Sequence, residues 1–195
     1  MGKHELTIKG VSKKNYKYLQ EANKNVPDGI QYKKPDRAPD FSIPIRADEK
    51  LQKSNLNLHF GAGRKTSDGI YIPRPYFEVE ITLKRDFWTE SKAADVVPNS
   101  HEKIEFFAVT DTAESFTCNF HRKTTSRKDE RTLHENSAEF QSTLREALGR
   151  YLKGKLINHN CMSYGDPVTN ETLECYGANQ INVWVTGQKT LYLSF

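Results

Sequence analysis

Ile104-Glu105-Phe106-Phe107-Ala108-Val109-Thr110, Asp111-Thr112-Ala113-Glu114, Ser115-Phe116-Thr117-Cys118-Asn119-Phe120 reads as a strand, a hairpin turn and a returning strand. His121-Arg122-Lys123-Thr124-Thr125-Ser126-Arg127-Lys128-Asp129-Glu130-Arg131 follows without one apolar residue. A run with nothing to bury has no reason to pack. It is expected to project from the sheet.

Working outward from this hairpin, Phe77, Val79, Ile81 and Leu83 alternate with Glu78, Glu80, Thr82 and Lys84, the pattern of a half-buried strand. Phe41-Ser42-Ile43-Pro44-Ile45 predicts a short strand with an edge proline. Asn55 to Phe60 predicts another, with Leu56, Leu58 and Phe60 on one face. Gly61 to Gly69 is a flexible polar loop, after which Tyr71-Ile72-Pro73 re-enters the sheet. On the other side, Phe140, Leu144, Leu148, Tyr151, Leu152 and Leu156 recur at helical steps, with Asn136 and Glu139 as a capping signal. A second helix is expected over Asn170–Tyr176, capped by Thr169 and stopped by Gly177. Ile181, Val183 and Val185, then Leu191, Leu193 and Phe195, form a closing hairpin around Gly187-Gln188.

About seven strands and few helices predict a mainly β protein, a β-rich α+β fold or open barrel over residues 41–195. Residues 1–40 are Lys-rich, with a short helix around Lys14–Ala22 and breaks at Pro27-Asp28-Gly29 and Pro35-Asp36. They read as a linker or peripheral extension.

Of 195 residues, 36% are hydrophobic and 28% charged, a globular balance. No apolar run approaches the ~18 residues of a membrane span, and the opening residues hold no apolar stretch, so neither a membrane partner nor a secretory signal is expected. Cys118, Cys161 and Cys175 form no CxxC pair, which reads as reduced thiols in a cytoplasmic protein. The net charge of +4 is unevenly spread. Residues 1–40 hold nine Lys/Arg against five Asp/Glu. Arg64, Lys65 and Arg74 face only Asp68 within 55–76, and Arg122, Lys123, Arg127, Lys128 and Arg131 face only Asp129 and Glu130 within 116–131. The remainder is net acidic. Concentrated basic charge on such a body is a nucleic-acid footprint.

Catalytic motifs do not assemble. His121-Arg122-Lys123 has the HxK form of phospholipase-D-like nucleases. However, five residues rather than four separate Lys123 from Asp129, and no Gly-Ser follows. Pro35-Asp36 lacks a partner, and Glu78-Val79-Glu80 is not followed by the Lys of a metal-dependent nuclease. His4, His59, His101, His121, His134 and His159 make no HxH or HxxxH, and no Gly-rich phosphate loop exists. No catalytic residue, metal site or cofactor is expected.

Several spaced motifs carry a resemblance. They are Phe41-Ser42-Ile43-Pro44-Ile45, Lys53-Ser54-Asn55-Leu56-Asn57, Tyr71-Ile72-Pro73, Phe106-Phe107-Ala108-Val109-Thr110-Asp111, Ser115-Phe116-Thr117-Cys118, Leu148-Gly149-Arg150-Tyr151-Leu152-Lys153-Gly154-Lys155-Leu156, Gly165-Asp166-Pro167-Val168-Thr169 and Tyr176-Gly177. Residues 41–195 thereby resemble the C-terminal DNA-recognition domain of NgoFVII/NgoAVII-type restriction endonucleases, relatives of BfiI. The resemblance implies a B3-like fold, a seven-stranded open pseudobarrel with two short-to-medium helices. It implies sequence-specific binding of double-stranded DNA in the major groove by an N-arm, about Asn57–Arg74, and a C-arm, about Asn119–Arg131. It implies an N-terminal phospholipase-D-like nuclease domain in the parent bacterial enzyme, absent from this chain. Where the family often has Trp-Gly after Leu-Asn, this chain has Leu58-His59-Phe60 before Gly61, so the N-arm is expected to be one or two residues longer.

Chemistry then assigns the arm residues. The planar fork of Arg reads guanine, which makes Arg64, Arg122 and Arg127 base readers, with Asn57, His59, Asn119 and His121 as lesser contacts. Lys65, Thr66, Ser67, Lys123, Thr124, Thr125, Ser126 and Lys128 are expected on phosphates. Phosphate contact stays open for each Arg, and cytosine contact or salt-bridging for Asp68 and Asp129. Tyr71 and Arg74 read as braces of the N-arm. Two other functions remain open: a metal-dependent nuclease with an unrecognised site, and a basic protein-interaction module.

Overall fold

Alternation in a strand pays off only when a partner strand lies alongside, so pairing decides which predicted segments become β-structure. The computed structural model describes residues 30–47, 56–89, 92–100, 102–127 and 130–195, with the backbone alone at 124–127 and 130–136. The helix expected at Lys14–Ala22 lies outside the described residues. In chain order the elements are β1 (Phe41–Pro44), a 3-10 turn (Leu58–Phe60), β2 (Arg64–Lys65), β3 (Tyr71–Ile72), β4 (Ile81–Lys84), α1 (Arg85–Thr89), a second 3-10 turn (Lys92–Asp95), β5 (Ile104–Thr110), β6 (Ser115–Arg127), β7 (Glu130–Ser142), α2 (Ala147–Asn158), α3 (Asn170–Tyr176), β8 (Gln180–Gly187) and β9 (Thr190–Ser194).

Seven strands form one sheet in the order β1-β8-β9-β5-β6-β7-β4, nearly closed on itself with a seam between β1 and β4. This is the expected pseudobarrel. The β5–β9 pair is parallel and the other pairs are antiparallel. Because β5 lies between β9 and β6, its Phe106, Phe107, Ala108 and Val109 are all buried, which explains the unbroken apolar run. At the seam, Phe41 meets Phe87 of α1 edge-on at 6.0 Å and Phe120 of β6 at 6.3 Å, so apolar packing takes over where hydrogen bonds stop.

Residues 37–40, just before β1, are tied to the same body. Trp184 Nε1 donates to the Arg37 carbonyl at 2.9 Å, and Asp40 accepts from the Val185 amide at 2.8 Å. Gln31–Phe195 forms one compact unit.

Four local expectations are corrected. Leu58–Phe60 is a 3-10 turn rather than a strand, because the Asn57 side chain is taken up by Val168 and Phe60 is left exposed. Tyr71–Ile72 pairs with Arg64–Lys65 in a separate two-stranded ribbon and does not re-enter the main sheet. Of Phe77–Lys84, only Ile81–Lys84 pairs, against Phe140–Ser137 of β7. The helix expected from Asn136 begins instead at Ala147, since residues 138–142 pair with β6 on one side and 137–140 with β4 on the other. Asn136 is therefore no cap.

Leu148, Tyr151, Leu152 and Leu156 of α2 are buried as their spacing predicts. The Thr169 side chain accepts from the Thr172 amide, and Gly177 ends α3 with φ of 81°. Both match the expectation. Cys161, in the loop after α2, and Cys175, in the last turn of α3, form a disulfide, which corrects the reading of free thiols there. Cys118 alone among the described residues remains a free, buried thiol. α1 and the Lys92–Asp95 turn, with buried Trp88 and Ala93, had no signal in the sequence.

Candidate functional site

The polar run after Phe120 is held by backbone pairing. β6 and β7 continue together to Arg127 opposite Glu130, with a shift in register between Arg122 and Thr124. Thr124, Thr125, Ser126 and Arg127 thus lie on a paired ribbon, opposite Leu133, Thr132, Arg131 and Glu130. Lys128 and Asp129 lie outside the described residues. The second ribbon is β2/β3. Its turn is closed by the Thr66 amide donating to the Ile70 carbonyl at 2.7 Å and the Gly69 amide donating to Thr66 at 3.0 Å. At Gly63 a Cβ would overlap the Ile72 carbonyl, so glycine lets the two strands approach at the ribbon's base. Lys65 and Ser67 are exposed, and Thr66 half-buried.

Both ribbons are rooted in one segment, Glu78-Val79-Glu80. Glu78 is buried and accepts from Arg64 and, at 3.0 Å, from Arg74. Glu80 lies 3.6 Å from Lys123, which also pairs with the buried Glu139 of β7. Glu139 meets His121 Nε2 at 3.0 Å. Burial first, then Lys103 and Lys123, lower the His121 pKa from its ordinary value against the opposing pull of Glu80. The other ring nitrogen lies 3.2 Å from Oδ1 of Asn119, itself buried. Arg122, one residue along, takes the opposite side of the ribbon. Its guanidinium stacks over Trp88 at 5.2 Å and donates to Asn99 at 3.1 Å.

Helix α2 supports the root segment from beneath. A Cβ on Gly149 would overlap the Phe77 carbonyl oxygen. One turn on, the fully buried Lys153 donates to the Tyr76 carbonyl at 2.6 Å, lies 4.1 Å from that ring's centre and 3.5 Å from His59 Nδ1. Burial lowers Lys153 from its ordinary 10.5 to about 7. Burial first and Lys153 second lower His59 to about 4. A lysine with a depressed folded-state pKa binds its proton less tightly than the unfolded chain does. Stability is therefore present above the unfolded value and is lost as pH falls toward about 7. The unfolding free energy is expected to rise between pH 7 and 10, by at most ~1.4 kcal/mol per pH unit, relative to Lys153→Met. Urea titrations at several pH values measure this; parallel slopes for the two proteins would remove Lys153 as the cause.

The structure thus brings Arg64, Lys65, Thr66, Ser67, Arg74, His121 and Lys123 to two ribbons with a common root. It sets Asn57 apart: this side chain is fully buried and bonds both the Val168 amide, at 2.9 Å, and the Val168 carbonyl, at 2.8 Å. His59 packs between Phe60 and Tyr76, before the β2/β3 ribbon. Sequence reasoning missed the carboxylates Glu78, Glu80 and Glu139. Alternation marks the first two as a polar strand face, but nothing local identifies the cations that meet them.

Residues 31–186 match the family model described as the NgoFVII C-terminal B3-like DNA-binding domain. No curated protein matches the chain.

Proposed function

The chain belongs to the family of NgoFVII C-terminal B3-like DNA-binding domains, and from that premise we propose that it recognises a specific duplex sequence through the β2/β3 ribbon and the outer β6/β7 ribbon, laid together in the major groove. DNA binding is the family's property; the two-ribbon mode is our reading. The observation that carries it is the shared root, with Arg64 and Arg74 on Glu78 and Lys123 on Glu80, two residues away. Such a root supports two basic ribbons as one unit, and a groove about 12 Å wide admits a β-ribbon. Arg127 is proposed as a base reader, and Lys65, Thr66, Ser67, Thr124, Thr125, Ser126 and Lys128 as phosphate contacts. Arg64, Arg74, Arg122 and Lys123 act as struts, and Asn57 serves the fold. We propose that the chain is the target-recognition part of a restriction endonuclease that cuts with a phospholipase-D-like nuclease domain.

Selection from a random duplex library, followed by affinity measurement across salt concentrations, tests the reading. A selected site should be preferred over random duplex by at least ~10³. Lys65→Ala should weaken all sequences alike and reduce the salt slope by about 0.9. Arg127→Ala should cost ~1–3 kcal/mol on the selected site and relax one base position. Equal, weak binding to every polyanion would instead favour a basic protein-interaction module, and magnesium-dependent cleavage by the chain alone a nuclease.

A further inference from the structure

The β2/β3 ribbon carries three apolar side chains in succession, Ile70, Tyr71 and Ile72, exposed by 64%, 56% and 55%. Single apolar residues on a surface are ordinary, but three together form a patch of the kind that marks a contact. The patch is presented rigidly, because the Ile70 amide donates to Thr66 Oγ1 at 3.1 Å while its carbonyl accepts from the Thr66 amide. Ile70 and Ile72 are two residues apart and so share one face of the ribbon. Arg64, opposite Ile72 in register, is drawn toward Glu78, which leaves an aliphatic ridge beyond it. Lys65, paired with Tyr71, carries its charge on the ribbon's other face.

This step rests on the reading of the ribbon as a DNA contact. We propose that Ile70 and Ile72 read the C5 methyl group of a thymine. That methyl is the one apolar feature that unmodified base edges present in the major groove, so an aliphatic ridge has a single complementary target there. The ridge then confers specificity at an A·T pair, separate from any guanine read by arginine.

The test uses the whole chain and the duplex recovered by library selection, with each thymine replaced in turn by deoxyuridine, which lacks only the methyl. At one or two positions the wild-type affinity should fall about four-fold, the ~0.8 kcal/mol of one buried methyl-sized group. The doubly substituted Ile70→Ser, Ile72→Ser chain should bind thymine and uracil duplexes equally, with an unchanged salt slope. A wild-type response below about two-fold at every thymine, or a uracil effect that survives the substitutions, overturns the proposal. So does loss of self-association in the substituted chain together with a wild type indifferent to uracil, which would give the patch to a second copy. Recovery of no preferred duplex would defeat the DNA reading of the ribbon itself. That result is distinct from a preferred duplex whose methyl groups are ignored.

Discussion

Gly149→Ala is expected to lower the unfolding free energy by ~3 kcal/mol, at the upper end of what one inserted methyl group costs in a close-packed site. The reason is local. The new Cβ would overlap the Phe77 carbonyl oxygen and lie 3.1 Å from a Val79 methyl, so a backbone atom rather than a flexible side chain must give way. Relief requires α2 to retreat from residues 76–79. The same movement would lengthen the bond from Lys153 to Tyr76 and shift Glu78, which holds Arg64 and Arg74. Loss of duplex affinity should therefore accompany the loss of stability. Gly154, five residues on in the same helix, supplies the control. A Cβ there meets nothing within 4 Å, and Gly154→Ala should stabilise by ~0.5–1 kcal/mol through helix propensity alone. Urea denaturation of both variants tests the pair; similar stabilities would show that α2 does not need its close approach to Phe77.

Asn57→Ala carries the second large effect, ~3 kcal/mol of destabilisation. Its amide satisfies a buried donor and a buried acceptor of Val168 together, as a strand neighbour would. Truncation leaves both unpaired, and each such group costs ~1–3 kcal/mol. Asn57→Asp should not rescue the fold, since a carboxylate cannot donate to the Val168 carbonyl and would be charged in a fully buried position. The decisive measurement compares stability with duplex affinity at a temperature where the variant is folded. Reduced stability with intact affinity marks a brace between Asn57 and Val168, ahead of α3. Intact stability with lost affinity would return Asn57 to the DNA-contacting residues named from the sequence.

How far the sequence could be read varied with how local each signal was. The β5–β6 hairpin, α3 and the β8–β9 hairpin emerged where they were expected, because a short apolar run or a capping threonine and a terminal glycine act on immediate neighbours. β7 was misread. Phe140 and Leu144 fit a helical spacing that continues into Leu148, yet β6 and β4 flank Ala138–Phe140 and hold it extended. Strand propensity there is secondary to pairing on both sides. The 310-turn at Leu58–Phe60 was misread for a related reason, because a residue more than 100 positions away takes up Asn57. At the candidate site the basic side chains were legible as composition. Arg122, however, stacks on a tryptophan of an unpredicted helix, while Lys123 beside it pairs with two carboxylates from other segments.

The sequence by itself determined where the chain turns, which residues alternate inward, and that positive charge gathers in two polar stretches. Periodicity, glycine and capping groups encode these features within a few residues. Tertiary structure alone decided that those stretches become paired ribbons on a common acidic root, which cations serve as struts, and that Cys161 meets Cys175. Ion pairing, strand pairing and the close approach of α2 at Gly149 depend on distances between segments remote in the chain, which no local pattern records.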